Sequence, residues 1–150
     1  MKKIEIEVPE GKRAEWVNGV LTLVDEHPKS VMDRIKTFAD AYNALGKEHV
    51  LVKDFDNSNP VTHGYTAYLE LCIIVAALNE GWKPTFVEGV ERWYPWFCNN
   101  DGDVAYEDAF FDSSSANSFY GYQLALKSKE LAVYAGKQFI DTYKDFLFGR

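Results

Sequence analysis

The chain has 150 residues, 47% of them hydrophobic and 26% charged, with a net charge of −7. That length fits one domain able to bury about 70% of its unfolded surface, and the composition is that of an ordinary globular protein. The acidic balance argues against a phosphate-neutralising footprint for nucleic acid, and no apolar run approaches the ~18 residues of a membrane span.

At the start, Met1-Lys2-Lys3 leads at once into Ile4-Glu5-Ile6-Glu7-Val8. This alternation predicts a strand and not a signal-peptide core, so the protein is expected to stay in the cytoplasm of its host cell. Pro9-Glu10-Gly11 ends the strand with turn chemistry. Asn18-Gly19 then separates two β-prone runs. Both central residues of a type I′ turn need positive φ, so this pair predicts a hairpin. Residues 3–24 therefore read as a three-stranded antiparallel meander.

Ser30 followed by Asp33 resembles a capping box. Met32, Ile35, Phe38, Ala39, Tyr42 and Leu45 then recur at helical spacing, with Gly46 placed to end the helix. Residues 47–64 read as a polar loop holding a short turn at 50–55. Residues 65–80 are apolar on most faces and rich in alanine, which predicts a central helix closed by Gly81.

The run 91–98 is β-prone and aromatic, and Pro95 confines it to a sheet edge or a bulge. Asn99 to Gly102 make a turn, and 103–121 predicts a partial strand and a long loop around Ser113-Ser114-Ser115. Residues 122–126 read as the last strand. Ser128 caps a final helix over 129–148. The predicted class is a single α+β domain over 1–150. It comprises an N-terminal antiparallel meander or hairpin, two middle helices, an aromatic strand pair and a C-terminal helix packed on the sheet.

Catalytic chemistry finds little material. Cys72 and Cys98 form no C-x-x-C and read as free thiols, while His27, His49 and His63 are scattered in predicted loops. A calcium loop with Gly102 at its sixth position would place Phe97 where the first carboxylate is required. Glu107 and Asp108 are neighbours, which a strand would point to opposite faces. No nucleophile–base pair, metal site or cofactor motif emerges, and the chain reads as non-catalytic.

The aromatic residues carry the stronger signal. Ten of 23 (10 Phe, 4 Trp, 9 Tyr) lie between Trp93 and Tyr122. No Lys or Arg occurs between Arg92 and Lys127, whereas Asp101, Asp103, Glu107, Asp108 and Asp112 do. Alternation sends Trp93, Pro95 and Phe97 one way and Tyr94 and Trp96 the other. One set can cover the central helix. The other is covered either by the loop 106–120 or by a partner. An aromatic floor with a Tyr/Ser/Asn rim has the composition of binding loops. The predicted contact residues are Tyr94, Trp96, Tyr106, Phe110, Phe111, Phe119 and Tyr120. The expected partner is a protein with a basic surface, with neither nucleic acid nor membrane involved.

Several blocks also resemble a known group. They are 8–12 (VPEGK), 76–84 (AALNEGWKP), 93–97 (WYPWF), 126–132 (LKSKELA) and 134–139 (YAGKQF). Together they look like a family of small uncharacterised proteins of gut Bacteroidales and their phages or prophages. The resemblance implies a phage or mobile-element context and supplies no activity and no catalytic residue. The expected function is a cytoplasmic binding or accessory protein of such an element. The alternatives are a protein that binds a small aromatic or nucleotide-like ligand, or a structural component of a virion.

Overall fold

The computed structural model describes residues 6–25, 30–60, 62–114 and 122–149. Its contacts divide the chain into two compact units, residues 1–30 and 31–150.

The first unit is a hairpin of β1 (Lys12–Val17) and β2 (Val20–Asp25). Asn18 and Gly19 have φ of 51° and 79° at its turn, the positive values that Asn-Gly supplies at low cost. The pairing runs from Val17–Val20 out to Lys12–Asp25. The expected third strand is not formed by residues 6–9, and the rest of it lies outside the described residues. Instead Lys12 donates its amide to the Pro9 carbonyl at 3.1 Å, closing a turn, and Ile6 and Val8 are exposed. Alternation alone gave that segment nothing to bury.

The second unit has an α+β fold. The helix expected from Ser30 is two: α1 (Val31–Arg34) and α2 (Phe38–Leu45). A capping box of Thr37 with Asp40 divides them. Asp40 accepts from the Thr37 hydroxyl at 2.8 Å, and from the amides of Thr37 at 2.8 Å and Lys36 at 3.1 Å. These bonds hold its carboxyl below the ordinary value, the hydroxyl bond counting most. Gly46 ends α2 at φ 79°, as expected.

The expected loop 47–64 contains α3 (Val50–Asp56), capped by His49 and anchored by the fully buried Val52. Seven residues are too few for periodicity to declare a helix. The central helix is α4 (His63–Asn79), with Leu71, Ile73, Ile74 and Leu78 fully buried among α2, α3 and the C-terminal helices. Glu80 at φ 49° and Gly81 at φ 86° turn the chain out of it.

Strands β3 (Arg92–Asn100) and β4 (Asp103–Asp112) form the second hairpin around Asp101-Gly102. A full ten-residue β4 replaces the expected partial strand. Its pattern is broken by a register shift opposite Trp96/Phe97, which hides the period of two. Residues 122–126 are not a strand. Tyr122–Leu124 form a 3₁₀ turn, after which Leu126 makes a single bridge to Trp93 through bonds of 2.8 and 2.9 Å.

Asn79, only 3% exposed, fixes that segment on the end of α4. It donates to the Ala125 carbonyl at 2.8 Å and accepts from the Lys127 amide at 3.0 Å. The expected final helix is α5 (Lys129–Gln138) and α6 (Ile140–Phe148), divided at Phe139. Ser128 caps α5, and α5 lies on the β3–β4 hairpin.

Candidate binding site

The site begins with how β3 is held. Arg92 is 1% exposed and donates to Asp112 at 2.6 Å, to the Ser114 carbonyl at 2.6 Å and to the Thr85 carbonyl at 2.5 Å. Its guanidinium also lies 5.4 Å from the Phe86 ring centroid. A planar five-donor fork suits this junction, where one side chain ties two strand ends to the preceding loop. The Arg92 bond, then the Ser114 amide, holds the Asp112 carboxyl below its ordinary value.

From that clamp the aromatic residues separate. Trp93 lies 4.8 Å from Phe111, and the Lys129 ammonium is 5.9 Å from the Trp93 ring. Phe97 lies 4.9 Å from Tyr143 of α6, and both Trp93 and Phe97 pack on the core. These rings meet α5 and α6. Trp96 pairs with Phe110 at 5.8 Å, yet the two are 55% and 41% exposed.

Beside that pair is an apolar groove of about 190 Å³. The hairpin contributes Tyr94, Pro95, Trp96, Phe97 and Phe110, α6 contributes Tyr143, Phe146 and Leu147, and Leu124 completes it. Burial pushes the Tyr94 phenol above its ordinary value, against the pull of Arg92. Burial also drives the Tyr143 phenol far up, and its hydroxyl has no hydrogen-bond partner among the described residues. Both rings are neutral at physiological pH.

Of the seven residues expected at the contact surface, Tyr94, Trp96 and Phe110 meet at this groove. Tyr106 is placed elsewhere, under α5, with the Lys137 ammonium 5.2 Å from its ring. Burial and the nearby Asp108 push its phenol up. Phe111 is 43% exposed and packs in a tilted contact on Trp93 instead. Phe119 and Tyr120 lie outside the described residues. Sequence reasoning missed the α6 wall. Its signal was an overfull helix: Phe139, Tyr143 and Phe146 already make the inward stripe, so Leu147 and Phe148 have no place in it and are 49% and 45% exposed.

The acids are largely answered by bases from outside the segment. Asp112 pairs with Arg92, Asp103 with Lys144 at 2.7 Å, and Asp108 loosely with Lys129 at 3.8 Å. Among the described residues this leaves Asp101 and Glu107 without an ion-pair partner. Counting charge along the chain cannot see such pairing across elements.

Cys72 and His49 sit in structural settings. Burial raises the Cys72 thiol to about 11, which opposes thiolate formation. His49 accepts the Leu51 amide at 3.3 Å as a helix cap, His63 opens α4, and His27 lies outside the described residues. Among the described residues no three His, Cys, Asp or Glu side chains are grouped to hold a metal ion. Nor is any described helix long and apolar enough to cross a membrane. No family model, curated protein or solved structure matches the chain.

Proposed function

We propose that the protein is a non-catalytic binding protein that holds a protein partner at the β3–β4/α6 groove, seating one apolar side chain of that partner between Trp96, Phe110 and Leu147. The observation that carries this is the exposure of Trp96, 55%, and Phe110, 41%, beside an apolar groove. Exposed aromatic residues around a small desolvated pocket are the usual anchors of protein interfaces. The groove's size selects the occupant. At about 190 Å³ it is well below the roughly 300–1,000 Å³ of cofactor and drug sites, and close to a cavity that takes one benzene-sized group. A nucleotide is too large. With most of the nearby acids already paired, an apolar anchor supplies the affinity, and a basic flank near Asp101 or Glu107 adds orientation.

The test is affinity capture from the native host with wild type and a Trp96→Ser/Phe110→Ser variant, with identification by mass spectrometry. A partner retained by wild type and lost by a variant of unchanged circular dichroism supports the proposal. A partner that both retain equally overturns it. The small-ligand alternative is checked by thermal shift, since a bound ligand raises stability as ln(1 + [L]/Kd). Nucleotide-like and multi-ring aromatic compounds, too large for the groove, should leave the melting temperature unchanged.

A further inference from the structure

Asn18-Gly19 is the one Asn-Gly pair in the chain, and it forms the tip of the first hairpin. We propose that Asn18 is a site of spontaneous covalent modification, where the side-chain amide is lost through a cyclic imide and the turn becomes aspartate and isoaspartate.

The chemistry needs a side-chain amide, a following backbone nitrogen that no side chain obstructs, and water. The Gly19 nitrogen attacks Asn18 Cγ and a C–N bond forms. Nδ2 then leaves as ammonia, taking the proton that the Gly19 amide gives up. Water opens the five-membered ring at Cγ to give aspartate, or at the main-chain carbonyl carbon to give isoaspartate, and no electrons change hands. Either product carries a carboxylate, so the net charge of −7 gains one more negative. Isoaspartate also runs the backbone through Cβ and Cγ, adding an atom that a two-residue turn does not accommodate.

Access at this turn is open. Asn18 and Gly19 are both exposed, and nothing lies within 4 Å of a Cβ built on Gly19. Among the described residues no hydrogen bond occupies the Gly19 amide. Ring closure needs the Gly19 nitrogen to swing onto Cγ, which a paired turn opposes, so the rate follows how often the hairpin opens. Among the described residues this sheet has two strands, and a two-stranded sheet is marginal in water. Trp16, Val17 and Val20 beside the turn are all exposed, so opening it gives up little burial.

The second hairpin shows the same turn in a protected form. Asp101 and Gly102 also have positive φ, but the Gly102 amide donates to Asn99 Oδ1 at 2.9 Å. Asp103, next to the turn, pairs with Lys144 of α6 at 2.7 Å, Val104 is buried, and Phe97 packs on the core. An amide held by its own acceptor, in a hairpin that seldom opens, does not reach the neighbouring side chain. The two tips therefore differ in reactivity through what surrounds them, not through their backbone conformation.

The test gives both turns the same chemistry. The full chain carrying Asp101→Asn is aged at neutral pH and physiological temperature, and peptide mapping follows each position with fragmentation that separates aspartate from isoaspartate. Position 18 should convert at least about tenfold faster than position 101 in the native chain. In urea, where neither turn exists, the two rates should converge. Wild type supplies a reading free of any exchange: Asn18 should convert first among the asparagines, at a native rate within about tenfold of its rate in urea. Equal native rates at 18 and 101 overturn the proposal. So does a ratio that persists in urea, which assigns the difference to neighbouring residues. A wild type in which another asparagine converts ahead of Asn18, or in which folding slows Asn18 by more than that factor, overturns it as well.

Discussion

The two hairpins close on the same chemistry. Asn18-Gly19 and Asp101-Gly102 have φ pairs of 51°/79° and 52°/88°, and both join antiparallel strands through two residues. Beyond the turn they diverge. On β3–β4 the pair farthest from the turn is fastened by the buried Arg92–Asp112 bridge, and Trp93 and Phe97 pack on the core. On β1–β2 the ion pair is exposed and Trp16 stands 74% in water. Turn residues therefore close a hairpin, but what lies against its face determines how firmly it is held.

The largest expected effect comes from removing the clamp. Arg92→Met leaves the Asp112 carboxylate and the Thr85 and Ser114 carbonyls without their shared donor, and such losses are costly in buried settings. The resulting fall in urea midpoint at neutral pH should exceed those of the exchanges that follow. It should also depend on pH. The folded-state carboxyl of Asp112 is depressed below 3.8, so its contribution is fully present above that value and is lost as pH falls through the depressed one. Wild type and variant should therefore converge in acid without becoming equal. A gap as wide in acid as at neutral pH would mean that the ion pair does not fasten this hairpin.

Next is a matched pair of truncations. Phe97→Ala, which empties a position against Tyr143, should cost about 3 kcal/mol, whereas Val20→Ala on the exposed hairpin should stay within about 0.5 kcal/mol. Equilibrium unfolding of both variants checks the contrast, and similar values would erase it.

What could be read from the chain follows the same division between local and distant causes. Both turns, the Ser128 cap, Gly46 and the apolar run of α4 are local signals, and each stands where expected. The class, α+β, follows from them. The failures arise where a distant group decides. Residues 122–126 lost their strand character because Asn79 already holds the Ala125 carbonyl and the Lys127 amide. At the groove, Tyr94, Trp96 and Phe110 were legible from alternation and composition. Phe146 and Leu147, from the far end of the chain, were not, since nothing local states which helix will face which strand.

Gly136 gives the smallest loss expected in the second unit and the most direct measure of how closely the second hairpin is pressed onto α5. By helix propensity alone, alanine at this interior position should stabilise by about 1 kcal/mol. A Cβ built there, however, falls 2.6 Å from Tyr106 Cδ2 and 2.7 Å from Pro95 Cβ. The Tyr106 ring can swing, but Pro95 is a ring fixed to a paired strand and has no such freedom. Overpacking of this kind costs about 1–3 kcal/mol, so Gly136→Ala should be a net loss of up to about 2 kcal/mol in urea unfolding. A gain instead would mean that the hairpin yields by several tenths of an ångström at no cost. Its hold would then rest on the Arg92 clamp, while Phe97 would contribute little. The glycine of the first hairpin's turn, Gly19, has nothing within 4 Å of its own Cβ position.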